Sequence, residues 1–168
     1  KTLTNLVSPD CVPPNELRNQ DLSQIEVLFT SWGSPHLSAE TLGRMPNLKL
    51  VLYAAGSVKG LVGEGFWGRG LKLSSAWRAN ALPVIEFTFA LIVLSLKRFP
   101  VLVADTRAKR TFNRPDVRGL YGATIGLASL GAIGQGLAQM LRNHEVKVLA
   151  SDPFASTETA ERLGVELV

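Results

Sequence analysis

The sequence predicts an α/β protein built on parallel sheets, and three observations carry that prediction. Short apolar runs, "IEVLFT" (25–30), "LKLVLYA" (48–54) and "LKLSSA" (71–76), alternate with helical segments or loops, which is the rhythm of parallel strands joined by crossovers. A fourth run, "ATIGLA" (123–128), leads straight into glycines and then into Ile133, Leu137, Met140 and Leu141 at helical spacing. A further strand, "VKVLAS" (146–151), ends against an acid, Asp152.

The elements follow in order. Up to about residue 20 the chain is polar and proline-containing ("SPDCVPPNELRNQ") and reads as loop with room for a short helix. "SWGSPHL" supplies turn residues, and Ser38 is placed to cap a helix through about Met45. The second strand gives way to a small-residue loop, "AGSVKG". Asn80 is the expected cap of a long helix from Ala81 to about Arg98, with Pro83 tolerated in its first turn. Beyond Glu86 that helix is apolar nearly all round ("FTFALIVLSL"), so burial between layers, domains or subunits is expected. A helix over roughly 100–111 carries basic residues, and "TFNRPDVRGLYG" is loop, broken by Asn113, Pro115, Gly119 and Gly122. Residues 156–163 give another helix, and "GVELV" starts another strand. From Ala123 onward the order is β-α-β-α-β, one mononucleotide-binding half of a doubly wound domain.

Composition narrows the function classes. Hydrophobic residues make up 46% of the 168 and charged residues 19%, enough apolar content to bury a core. The single cysteine, Cys11, excludes an internal disulfide framework, and with two histidines no metal site is expected. The apolar run 87–96 is too short to span a bilayer, and no leader precedes it, so a soluble, cytoplasmic protein is expected. The net charge of +4 is concentrated in Lys97, Arg98, Arg107, Lys109, Arg110, Arg114 and Arg118, against Asp105 and Asp116. No nucleic-acid motif accompanies them, and a solvated face is the expectation, with no nucleic-acid partner.

The run "S-L-G-A-I-G" (129–134) is a candidate phosphate loop. Its amides and the helix N-terminus behind it favour a pyrophosphate. Gly131 lets the backbone approach the phosphates, and Gly134 lets the helix pack close to the strand. Ser129 stands where G-x-G-x-x-G has its first glycine; with φ above zero a serine there costs about 1 kcal/mol or more, and its hydroxyl is free to bond within the turn. Asp152 lies about 20 residues on, where an acid accepts hydrogen bonds from an adenosine ribose and disfavours a 2′-phosphate, so NAD is expected over NADP. A turn without ligand at the loop, and a capping role for Asp152 ahead of Pro153, are the alternatives.

Three blocks in this order, "MPNLKLVLYAAGSVKGL", "SAWRANALPVIEFTFALIVLSLKR" and "LYGATIGLASLGAIGQGLAQMLRNHEVKVLASDPF", resemble the D-isomer-specific 2-hydroxyacid dehydrogenases, the phosphoglycerate dehydrogenase-like family. The resemblance runs from about residue 25 to the end. It implies a two-domain NAD enzyme with its site in the cleft between domains: a flavodoxin-like substrate domain over 1–79, with or without its first strand, and the first part of a Rossmann domain over 80–168. It places Ala55, Gly56, Ser57 and Val58 on the loop that offers amides to a substrate carboxylate, with Asn80 near the cleft at the hinge. Ser129, Gly131, Ala132, Ile133, Asp152 and Pro153 fall on cofactor positions. It also implies a 2-hydroxy or 2-oxo acid as substrate and a homodimer.

This sequence departs from the family at Ser57 and Ser129, where glycine is common. The family's substrate-holding arginine and its histidine–glutamate proton pair are expected in later segments, so no catalytic residue is assigned. His36 reads as a surface or packing residue, His144 as a loop residue far from the cleft, and Glu86 as support for the hinge. Tyr53 and Trp32 line either the cleft or the strand ends. The expectation is therefore a portion of an NAD-dependent dehydrogenase, inactive by itself. The alternatives are a non-catalytic nucleotide- or partner-binding module and, third, a methyltransferase using S-adenosylmethionine.

Overall fold

The computed structural model describes residues 12–13, 16–112 and 116–168. Cys11 and the expected breakers Asn113 and Pro115 lie outside these. The chain divides into two compact units, Lys1–Asn80 and Ala81–Val168, and the sheets are confined one to each.

In the first unit, strands β1 (Val27–Thr30), β2 (Leu50–Tyr53) and β3 (Lys72–Ser75) form a parallel sheet in that order. Val27 pairs with Leu50, and Leu50 with Lys72. Each strand is a residue or two shorter at its ends than its apolar run, because pairing rather than composition sets where a ladder stops. Helix α1 (Ala39–Gly43) starts as expected: the Ser38 hydroxyl accepts the Thr41 amide at 3.2 Å. Its far end is closed by Arg69, whose guanidinium donates to the main-chain oxygens of Leu42 (2.6 Å) and Met45 (3.0 Å). Each of these oxygens also accepts a main-chain amide, from Met45 and Leu48 respectively, so the guanidinium uses their second lone pairs. Arg69 belongs to a 3-10 turn, Trp67–Arg69, that periodicity does not reveal. Phe66 fills the core with Leu37, Leu42, Met45, Val51 and Leu61.

The second unit holds β4 (Thr124–Ala128), β5 (Lys147–Ser151) and β6 (Glu166–Leu167), parallel and in that order, with α4 (Ala132–Leu141) and α5 (Thr157–Leu163) as crossovers. This is the expected β-α-β-α-β half. Leu137, Ala138 and Leu141 of α4 pack with Leu127, Val148, Ala150 and Leu163. Ser156 caps α5 by accepting the Thr159 amide at 3.1 Å, and Gly164, with φ of 68°, ends it.

The long helix corrects two expectations. Helix α2 spans Trp77–Leu96, so Asn80 lies inside it and is not its cap. The Ala76 amide bonds Tyr53 oxygen at 3.0 Å, extending the β3 ladder by one residue, and the Ala76 oxygen accepts the Asn80 amide at 2.9 Å. The helix therefore begins directly after the strand. Pro83 consequently falls in the second turn, where its missing N–H deprives the Ala79 carbonyl of a partner. Within the single chain only Ala81 and Ile85 of α2 are buried, while Leu82, Phe87, Leu91 and Leu94 are exposed. The apolar run is thus part of a 20-residue helix, and by length and composition alone α2 is long and apolar enough to cross a membrane. Helix α3 (Phe99–Lys109) follows after Arg98, whose φ of 53° makes the bend. The Lys109 ammonium pairs with Asp105 one turn earlier at 2.9 Å.

Helix α2 meets α4 through Gly136. A β-carbon there would collide with the Ile85 Cδ1 methyl, so the glycine permits the close approach. Gly136→Ala should destabilise the fold by about 1–3 kcal/mol through overpacking. Ile85→Val, which removes the colliding methyl, should recover most of that loss. Denaturant unfolding of the single and double variants checks this; additive losses would contradict it.

Candidate functional site

The nucleotide-type site is built where β4 stops. The Ser129 amide bonds Ser151 oxygen at 2.9 Å, the last rung between β4 and β5, and the chain then turns into α4. Ser129 has φ of 90°, so the first-glycine position does demand the conformation that glycine favours. Its hydroxyl accepts the Gly131 amide at 3.2 Å and donates to Asp152 Oδ2 at 3.1 Å. Leu130 is buried and anchors the turn, and its amide donates to the same Asp152 oxygen at 2.6 Å. The Gln135 side chain closes the loop by donating to Leu130 oxygen at 2.8 Å.

The two glycines of the loop differ in what they require. A β-carbon on Gly134 would run into the main-chain oxygen of Ser129, so helix and strand end cannot sit this close with any other residue. Gly131 is different. A β-carbon there would meet only Ser129 Oγ at 3.7 Å, ordinary contact, so the protein's own packing does not explain that glycine. An approaching ligand does. The amides of Ala132, Ile133 and Gly134 at the α4 N-terminus have no acceptor among the described residues, and the first bond of the helix is Gln135 amide to Gly131 oxygen at 2.9 Å. Three such donors with the positive end of a helix behind them suit a phosphate.

Asp152 lies at the end of β5 and its carboxylate is held from two sides. Oδ2 takes the Leu130 amide and Ser129 hydroxyl, and Oδ1 takes the Phe154 amide at 2.8 Å. The Leu130 amide foremost, then that of Phe154, holds the carboxyl below its ordinary range, against a smaller opposing effect of desolvation. Pro153 follows, with Phe154 almost fully exposed. Ser129, Leu130, Gly131, Gln135, Asp152 and Phe154 share one open cavity of about 430 Å³. The structure thus brings Ser129, Gly131 and Asp152 to a single cavity, with Ala132 and Ile133 on the first turn of the adjoining helix.

In the first unit the chain leaves β2 into the loop Ala55–Val58. Among the described residues, the amides of Ala55, Gly56, Ser57 and Val58 find no acceptor, while Lys59 donates to Ser57 Oγ at 3.4 Å. Unpaired loop amides such as these are open to an anion or to water. Asn80 lies against it: a β-carbon on Gly56 would fall 2.7 Å from Asn80 Nδ2. The early start of α2 is what brings Asn80 there. Tyr53 is half-buried against the core of this unit, and Trp32 is exposed.

The remaining candidates make other contacts. His36 faces Gly63. His144 stacks on Phe89 with centroids 5.2 Å apart, beyond the C-terminal end of α4. Ten helical residues, roughly 15 Å, separate it from the phosphate loop. Glu86 is exposed on α2. Among the described residues no group of acids, histidines and cysteine is placed to hold a metal.

The depressed Asp152 carboxyl has a pH consequence. Its folded-state pKa lies below the unfolded value, so its contribution to stability is present in full above about pH 4, the unfolded carboxylate range. It is lost as pH falls through the lower folded value. Carbonyl-detected NMR should show Asp152 titrating below the ordinary aspartate range, with the Leu130 and Phe154 amide signals moving in step. A titration at the ordinary carboxylate value would contradict these bonds.

Comparison with known proteins agrees with this geometry. Residues 89–168 match the model of the D-isomer specific 2-hydroxyacid dehydrogenase, NAD binding domain. A D-3-phosphoglycerate dehydrogenase of Mycobacterium bovis is 31% identical over 134 residues, 79% of this chain and 25% of that one. The chain therefore spans about a quarter of the length of the curated relatives it matches. Among solved structures, the holo form of Rhodotorula graminis D-mandelate dehydrogenase superposes with a TM-score of 0.76 at 22% identity, covering 92% of this chain and 50% of that one. The D-lactate dehydrogenase of Aquifex aeolicus, complexed with NAD and lactic acid, gives 0.69 at 22% identity, covering 94% and 46%. At these identities the likeness is one of fold. Residues 89–168, just under half of the chain, thus carry the pattern of the D-isomer specific 2-hydroxyacid dehydrogenase NAD binding domain, which favours the dehydrogenase reading over a methyltransferase, and the chain is similar to that family.

Proposed function

We propose that this chain binds NAD through the loop Ser129–Ile133, the α4 N-terminus and Asp152–Pro153. In the whole protein it would serve an NAD-dependent oxidoreductase that interconverts D-2-hydroxy acids and 2-oxo acids. The observation that carries this reading is the coincidence, on one cavity rim, of three unpaired helix amides, a glycine that packing leaves unexplained and an acid ending the neighbouring strand. NAD, when bound, supplies the hydride acceptor or donor. The chain's own residues bind and orient: Ala132, Ile133 and Gly134 amides for the pyrophosphate, and Asp152 for the adenosine ribose. An ionised Asp152 repels a 2′-phosphate and so selects NAD over NADP. The amides of Ala55, Gly56, Ser57 and Val58 are the proposed carboxylate site for the acid substrate, with Asn80 beside them.

Hydride transfer also needs a positioned proton donor and a group to stabilise the developing alkoxide. His144 is held on Phe89 at the wrong end of α4, and His36 packs at Gly63. We therefore assign cofactor binding, without turnover, to these 168 residues taken alone. Calorimetry should give saturable NAD binding, with NADP at least about tenfold weaker. Asp152→Asn should narrow that gap by removing the charge. NADH should persist in the presence of 2-oxo acids. Absence of NAD binding would remove the reading; NADH consumption by the chain would show that a proton donor has been overlooked.

The exposed apolar residues Phe87, Leu91 and Leu94, which share one side of α2 at i, i+4 and i+7, belong to the same proposal. They are covered by a second copy of the chain in a cytoplasmic homodimer, since a contiguous apolar face of this kind marks an interface. Light scattering should give twice the monomer mass, and Leu91→Glu should return it to the monomer. A monomeric parent protein would contradict this.

A further inference from the structure

The serine at the first-glycine position does more than tolerate a strained turn. An ionised carboxylate offers about four lone-pair positions. On Asp152 three are occupied, by the Leu130 amide, the Ser129 hydroxyl and the Phe154 amide. The adenosine ribose presents two neighbouring hydroxyls, and roughly one acceptor position remains on the acid to receive them. The Ser129 hydroxyl has one donor and two lone pairs. Its proton goes to Asp152 and one lone pair to the Gly131 amide, which leaves one lone pair open. Ser129 is exposed, and it lines the same cavity as Asp152.

Resting on the NAD reading above, we propose that Ser129 is a ribose-recognition residue. Its hydroxyl accepts one hydroxyl of the adenosine ribose while Asp152 accepts the other. The position that the serine hydroxyl takes on the acid faces the loop, on the oxygen that also accepts the Leu130 amide, so the acid by itself does not receive both ribose hydroxyls. Here the serine occupies one of the acid's positions and supplies its own in exchange, so ribose recognition is divided between two side chains. The two bonds that orient the Ser129 hydroxyl are made before any ligand arrives, which lowers the ordering cost of binding.

Ser129→Gly separates this from a merely tolerated serine. Glycine adopts the φ of 90° without strain, so the turn is preserved or improved. If serine were only a costly stand-in, the glycine variant would bind as tightly as the parent or more tightly. The experiment is calorimetry of the full chain and of Ser129→Gly with three probes: ADP-ribose and its forms lacking the 2′- or the 3′-hydroxyl of the adenosine ribose. The expected result is a roughly three- to tenfold loss for ADP-ribose in the variant, the size of one hydrogen bond. That loss should disappear for whichever deoxy probe lacks the partner hydroxyl, as coupling between two groups in contact requires. Ser129→Ala, which keeps the β-carbon, should behave alike. Unchanged ADP-ribose affinity in both variants, or an equal loss for all three probes, overturns the ribose role and leaves the NAD reading standing. A parent chain that binds neither ADP-ribose nor NAD overturns both.

Discussion

Asp152 ends one strand and holds the turn that leaves the next. Its carboxylate accepts the Leu130 amide at 2.6 Å and the Ser129 hydroxyl at 3.1 Å on one oxygen, and the Phe154 amide at 2.8 Å on the other. The loop after β4 is therefore fixed by a side chain across the sheet as well as by its own dihedrals. Remove that carboxylate, and the Leu130 amide loses its acceptor, Ser129 loses the bond that orients its hydroxyl, and the start of β5's exit loop loosens. Charge-assisted bonds of this kind are stronger than neutral ones and remain while the acid is ionised. The same negative charge that organises the apo loop is the one proposed to reject a 2′-phosphate, so construction and selectivity use one group.

The scaffold makes such a loop possible through glycines with separate tasks. Gly134 lets the first turn of α4 press against the main-chain oxygen of Ser129, which brings the helix amides up to the strand end. Gly136, two residues along, lets α2 lie on α4 against Ile85. Gly131 answers to neither, and its freedom is meaningful only with a ligand in view. Beneath them Leu137, Ala138 and Leu141 tie α4 to the sheet, so the phosphate-facing amides project from a packed element and not from a free loop.

Much of this was legible in the residues. The alternation of apolar runs gave both parallel sheets, and Ser38 and Ser156 announced their helices because a capping hydroxyl is a local signal. The spacing from Gly131 to Asp152 marked the site for the same reason. The N-terminus of α2 was not legible. Asparagine is a good cap by type, but the Ala76 bond to Tyr53 across the sheet starts the helix at Trp77 instead, a tertiary contact overriding a local preference. An apolar helix says only that something must cover it and not what, and most of α2 is exposed in the single chain. Arg69 closing α1, Gly136 opening a path for Ile85, and the Asn80 side chain meeting Gly56 all join residues far apart in sequence. No periodicity or spacing rule encodes such pairs. Ser129 is the intermediate case: its identity posed the question of φ, and only the backbone answered it.

The central claim is that the loop from Ser129 to Gly134, together with Asp152, forms the NAD site. Amide NMR of the full chain during NAD titration tests it most directly. The account predicts large shifts for Gly131, Ala132, Ile133 and Gly134, with smaller ones at Leu130 and Phe154 as the Asp152 bonds adjust. Shifts that leave these amides unmoved while others respond, or no response at NAD concentrations well above those of ordinary dehydrogenase affinity, would contradict it.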